Sequence, residues 1–212
     1  MTKFSLVEFS IRRPKLVFLL TGLLTLLFLT QFPKIRTDTN PKHMLPDTSD
    51  VRVWNDAVDK TFALYEDTIV VGVENAAGVL NKDTLGRIAR ITDAILGLPG
   101  VASRDVNGFS TITNVTADAG TLKVGPLMPA APKTDAEVQD LKKALFGNPL
   151  FIDRVISQDG KTTAIYVPLE KGANGAEIAD KIRSIVAAEK GSERYYIAGD
   201  PVARDTFGAE MF

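Results

Sequence analysis

The chain has no cysteine and one histidine, His43, among its 212 residues. The first absence excludes disulfides, thiolate nucleophiles, zinc ribbons and iron–sulfur clusters together. The second leaves little for a metal cage or a Ser-His-Asp triad, and His43 beside Lys42 and Met44 reads as a solvated side chain. Neither sign of charge dominates: 25 Lys and Arg stand against 26 Asp and Glu, a net charge of -1. No global basic field exists to hold nucleic acid, which is therefore not an expected partner. No G-x-x-x-x-G-K-[ST] or G-x-G-x-x-G run occurs, so no nucleotide cradle is recognisable. Asp38, Asp47, Asp50, Asp56 and Asp59 lack the alternation of a calcium loop and read as caps and solvated faces. No catalytic, cofactor-binding or metal-binding residue is expected, and the chain is not expected to be an enzyme.

What is present in excess is apolar and local. Leu16 to Phe32 reads LVFLLTGLLTLLFLTQF, seventeen residues without a charge. As a helix this run spans ~25 Å, enough to cross a hydrocarbon core of ~30 Å if flanking cations snorkel. Arg12, Arg13 and Lys15 precede it while Lys34 and Arg36 follow, so the positive-inside rule puts residues 1–15 in the cytoplasm and the rest outside. A cleaved signal peptide shares the charged start, but Thr30-Gln31-Phe32-Pro33 is no small-x-small cleavage site. A buried core helix conflicts with leucine on every face. The expectation is a transmembrane helix over 16–32, stopped by Pro33.

Residues 33–66 read as an extended linker followed by a connecting helix. An Asp47/Ser49 cap starts that helix, and Val51, Trp54, Val58 and Phe62 form one apolar stripe, with Trp54 expected as packing rather than a binding platform. Thr68 to Val73 is a β-branched run suited to a central strand buried on both faces. Asn81 or Asp83 caps a helix carrying Ile88, Ile91, Ile95 and Leu98, Leu98-Pro99-Gly100 turns the chain, and a second strand starts at Val101. Residues 107–132 read as an insertion of little periodicity. Thr134 and Glu137 make a capping box for a helix bearing Val138, Leu141 and Leu145, ended at Gly147-Asn148-Pro149. Phe151–Ser157 and Thr162–Leu169 flank Asp159-Gly160 as a hairpin. Asn174 and Glu177 repeat the capping box before Ile178, Ile182 and Ile185, and Tyr195–Ala198 supplies a last strand. Arg87 and Arg90, near Asp83 and Asp93, read as exposed helical ion pairs. Adjacent Tyr195 and Tyr196 point to opposite faces of their strand, one towards a core and the other lining a surface. Asn114-Val115-Thr116 matches a glycosylation triplet of no specificity on its own. The pattern predicts an α+β class: a transmembrane helix, then a ferredoxin-like split βαβ domain with an insertion.

Several short runs together carry a resemblance. They are Thr37-Asp38-Thr39-Asn40-Pro41, Met44-Leu45-Pro46, Phe62 to Val73, Leu98-Pro99-Gly100-Val101, Asn148-Pro149-Leu150, Asp159 to Leu169, and Ile197-Ala198-Gly199-Asp200-Pro201-Val202. Over nearly its whole length the chain resembles the start of a resistance-nodulation-division (RND) superfamily exporter of the MMPL type, a branch related to hopanoid and lipid transporters. The resemblance implies the first transmembrane helix and the first periplasmic porter domain, residues 67–199, of a protein about four times longer. It implies a proton-driven export of hydrophobic, amphipathic or lipid-like substrates. The lipid bilayer, the remaining transporter helices, a second porter domain and an oligomer are the implied partners, at the bacterial inner membrane. The proton relay of such exporters lies on later helices, so no relay residue falls in this chain. Residues 200–212 then begin the connection to a second membrane helix, and their helix-like pattern ending on Met-Phe is expected to continue. The competing expectation is a single-span tethered module that binds a partner or ligand as a sensor or assembly factor. A membrane-tethered enzyme ranks behind both.

Overall fold

The computed structural model describes residues 6–32, 44–62, 65, 67–118 and 121–211. Pro33, His43 and the Thr37-Asp38-Thr39-Asn40-Pro41 motif lie outside the described residues. The chain divides into two compact units, Met1–Asp38 and Thr39–Phe212.

The first unit holds α1 (Leu6–Arg12) and α2 (Pro14–Leu29). Proline has no N–H and disfavours helical geometry in the preceding residue, so Arg13 leaves the helical region and Pro14 opens a new helix at its first turn. Helix α2 is apolar on all sides and buries none of its residues. It ends at Thr30, whose hydroxyl donates back to the carbonyl of Leu27 at 2.7 Å. The helical run thus covers 14–29 rather than 16–32. No helix among the described residues is long and apolar enough to cross a membrane.

The second unit begins with α3 (Asp50–Phe62). Its expected cap is only half made. The carbonyl of Ser49 accepts from Val53 N–H, but Ser49 Oγ is buried without a partner, and Asp47 pairs with Arg52 at 2.6 Å. The stripe does not pack either: Trp54 is 72% exposed and no residue of α3 is buried. Helical spacing fixes which residues share a face and says nothing of what covers it.

Then come β1 (Thr68–Glu74), α4 (Lys82–Leu96), β2 (Thr113–Asp118), β3 (Thr121–Pro126), α5 (Asp135–Phe146), β4 (Thr162–Pro168), α6 (Gly175–Ala188), β5 (Arg194–Gly199) and α7 (Asp200–Met211). The main sheet is antiparallel with the order β4-β1-β5. Its central strand alternates: Ile69, Val71 and Val73 are fully buried and the residues between them half-buried. The expected burial on both faces is therefore corrected, because β-branched residues qualify a strand for either environment. Ile165 and Val167 from β4 join the inner face, as do Tyr195 and Ile197 from β5. Helix α4 covers them with Leu85, Ile88, Ile91 and Ile95, and α6 with Ile178, Ile182 and Val186. Asn81, not Asp83, caps α4 through Thr84 N–H at 2.9 Å.

The segment after α4 is not a continuous strand. It bridges β4 at Val101–Leu169 and at Asn107–Tyr166, with a single 3-10 turn, Ser103–Asp105, between. Even so, each β-α-β crossing skips one strand: from β1 to this broken edge over β4, and from β4 to β5 over β1. Gly199 closes β5 at φ +134, where an added Cβ would lie 2.3 Å from the Thr68 carbonyl oxygen. Only glycine fits so close to the facing backbone.

Inside the insertion, β2 and β3 form a hairpin of their own. Below it the chain is hooked into the core. Phe109 is fully buried, its carbonyl accepts from Met128 N–H at 2.9 Å, and Leu127 N–H donates to Ile112 at 2.8 Å. The capping box of α5 is complete, with Glu137 N–H bonded to Thr134 Oγ and Thr134 N–H to Glu137 Oε2. That of α6 is one-sided: Asn174 accepts from Glu177 N–H, while the Glu177 carboxylate pairs with Lys181.

The expected hairpin around Asp159-Gly160 forms only next to its turn: Ile156 bridges Thr163 antiparallel, Ser157 N–H donates to the Thr162 carbonyl and Ala164 N–H to that of Val155, while β4 is its one full strand. Residues 151–157 otherwise wind into turns, with Asp153 at φ +60, which sends Phe151, Val155 and Ile156 inward. Strand-forming composition there served burial rather than extension.

Candidate functional site

Two places gather chemistry, and they differ in what they can do. The first is a polar network at one end of the sheet. Thr84, nearly fully buried on α4, accepts from Asn75 (3.0 Å) and Asn81 (2.9 Å) and donates to Glu193 Oε1 at 2.5 Å. Arg87 reaches the same oxygen at 2.9 Å and the Lys190 carbonyl at 3.1 Å. One turn further, Arg90 grips both oxygens of Glu189, at 2.9 and 2.6 Å. The expected pairing of Arg87 and Arg90 along their own helix is thus corrected: both reach across to the connection from α6 to β5. A bidentate guanidinium–carboxylate pair fixes geometry as well as charge. The Arg90 hydrogen bonds hold the Glu189 carboxyl below the usual carboxylate range. Burial pushes the Glu193 carboxyl up most strongly, yet hydrogen bonds from Thr84, its own backbone N–H and Arg87, with the charge of Arg87, outweigh it and leave it lowered. Burial raises the Tyr195 phenol.

The two tyrosines part as their spacing requires. Tyr195 turns inward, its hydroxyl buried without a partner. Tyr196 is half-exposed and donates to Glu74 at 2.7 Å. Only the Thr84–Glu193 centre of the network is closed off, while Arg87 is partly and Arg90 largely exposed; its guanidinium–carboxylate pairs latch α4 to the connection from α6 to β5. Its parts lie about a hundred residues apart in sequence, which left no local signal to find it.

The second place is an open groove of about 550 Å³ where the insertion meets α5. Leu127, Met128 and Leu141 form its floor and Pro129 to Pro132 one wall. Glu137 and Asp140 stand at the rim. The Glu137 carboxylate is held below its ordinary value by hydrogen bonds from the backbone N–H groups of Lys133 (2.6 Å) and Thr134. A carboxylate committed to two backbone donors is a fixed charge, not a proton carrier. The groove therefore offers an apolar bed with an edge of mixed charge, Glu137 and Asp140 beside Lys133, of a size that suits an amphipathic molecule. Of its lining, Glu137 and Leu141 are named from the sequence, as a cap and a core position of α5 and not as parts of a groove.

At the other end of the domain Arg204 on α7 binds Asp67, where the chain enters β1, and Asp200 at 3.3 Å. Tyr65 donates to Asp105, which raises its phenol above the ordinary value. These contacts tie the entry and exit segments of the α/β unit together. Among the described residues no group of three or more His, Asp or Glu side chains is placed to hold a metal ion. No protein-family model matches the chain, and no curated protein matches it.

Proposed function

We propose that this chain is the N-terminal part of a proton-driven exporter of the RND superfamily, with α2 in the inner membrane and the α/β unit forming part of the periplasmic porter. The observation that carries the reading is the main sheet, in which each β-α-β crossing skips a strand and both crossing helices cover one face. We read it as the ferredoxin-like split βαβ arrangement that the resemblance implies for a porter domain. An all-round apolar helix precedes it in the chain. Its 16 residues span ~24 Å, and a shortfall of a few ångströms is met by bilayer thinning and by snorkelling of Arg13 and Lys15. The groove beside α5 supports an amphipathic, lipid-like substrate. Proton coupling belongs to helices outside this chain, and one helix encloses no transport pathway by itself.

The absence of cysteine makes topology directly measurable. Ser10→Cys and Lys142→Cys variants, expressed in a bacterium, are exposed to a membrane-impermeant maleimide before and after lysis. The expected result is a membrane-bound chain in which Lys142→Cys labels in cells with a permeabilised outer membrane and Ser10→Cys labels only after lysis. A chain recovered free of membranes, or the opposite labelling, overturns the proposal.

A further inference from the structure

Helix α3 carries an apolar side that nothing covers among the described residues. Val51, Trp54 and Phe62 are each 70% exposed or more and Val58 47%. Met44 and Leu45, just ahead of the helix, are exposed as well. The polar side, by contrast, is occupied locally: Arg52 donates to the Leu45 carbonyl at 2.8 Å and pairs with Asp47, and Asn55 donates to Asp59 at 2.8 Å. The polar side of the helix thus finds local partners, while the apolar side stays open among the described residues.

Three observations select a lipid surface as what covers it. First, only residues 33–49 separate the charge-free run ending at Phe32 from Asp50. That is a reach of at most ~60 Å, so a membrane-held run keeps α3 beside the bilayer at high effective concentration. Second, the stripe combines a tryptophan and a phenylalanine with valines, side chains favoured at the boundary between headgroups and acyl chains. Third, Asp50, Asp56 and Asp59 against Arg52 and Lys60 leave the helix near neutral, so apolar burial drives the contact and anionic headgroups are not required.

We propose that α3 lies in the plane of the bilayer surface as a second membrane contact of this chain, with Val51, Trp54, Val58 and Phe62 inserted below the headgroups. The proposal rests on the membrane reading of α2 and adds to it a second point of contact with the bilayer.

Trp54 is the single tryptophan of the chain, so its fluorescence reports on α3 alone. The full chain is reconstituted in phosphatidylcholine vesicles with a quenching spin label near either the carbonyl end or the methyl end of the acyl chain. The expected result is strong quenching by the shallow label, weak quenching by the deep one, and aqueous iodide quenching reduced several-fold relative to the unfolded chain. A Val51→Asp/Val58→Asp variant is expected to float with the vesicles as before and to regain iodide access at Trp54. A floating wild-type chain whose Trp54 is quenched by iodide and by neither lipid label overturns this proposal and leaves the membrane reading standing. Trp54 shielded from iodide without lipid quenching also overturns it, identifying a protein surface or second copy as the cover. A chain that does not float overturns both.

Discussion

Phe109→Ala is expected to lower the unfolding free energy of the α/β unit by about 3–5 kcal/mol, the cost of deleting a fully buried aromatic side chain and leaving a cavity. Phe109 comes from the insertion, yet it is fully buried with the sheet and helix residues of the main core. Its carbonyl also receives the returning chain at Met128. The insertion is therefore rooted in the core and not appended to it. Chemical denaturation followed by far-ultraviolet circular dichroism measures the loss. Trp54 fluorescence is the wrong probe, because that side chain lies on the open side of α3. A loss below about 1 kcal/mol, the level typical of a surface change, would mean that the insertion is held elsewhere.

Arg87→Met is expected to cost about 2 kcal/mol at neutral pH. Removing one partner of a buried pair leaves an uncompensated charge, and the fully buried Glu193 side chain keeps only Thr84 and its own backbone as donors. The figure sits below the usual range for buried pairs because Arg87 itself is 21% exposed and water screens part of the loss. The pH dependence has a definite sign. The folded-state pKa of Glu193 is lowered, so its stabilisation is fully present above the unfolded-state value and is lost as pH falls through the folded one. The difference between wild type and variant should accordingly shrink in acid. Glu189 is lowered chiefly by Arg90, which the variant keeps, and the smaller contribution it takes from the Arg87 charge is also lost in acid, so it shrinks the gap in the same direction. A gap that stays constant or widens in acid would contradict the assignment of Arg87 as the partner of an ionised Glu193.

What could be read from the residues, and what could not, follows from the range of the interactions. Ile88, Ile91 and Ile95 announced both a helix and its buried side, because i, i+3 and i+4 positions meet within one element. Thr134 and Glu137 announced a cap for the same reason. The β2–β3 hairpin escaped notice although Val115 pairs with Val124 and Ala117 with Leu122. Its alternation is short and sits among Gly, Thr, Asn and Asp residues. The run at 151–157 was β-rich and became mostly turns, pairing with β4 only from Val155 to Ser157, since the same apolar residues satisfy a core from either conformation. Arg87, Glu193 and the groove beside α5 depend on segments brought together only by the sheet, and no local spacing records such a meeting. Trp54 shows the same limit from the other side: periodicity identified its stripe, while what covers the stripe lies outside the helix.

As proposed above, this α/β unit and its apolar helix open a larger transporter. Reading the genomic frame beyond the Phe212 codon tests it most directly. The expected result is an open frame with several apolar segments of ~20 residues, some carrying a membrane-embedded Asp or Glu, and a second soluble domain of similar strand and helix order. A stop codon immediately after Phe212, confirmed by resequencing, would contradict it and leave a tethered binding module.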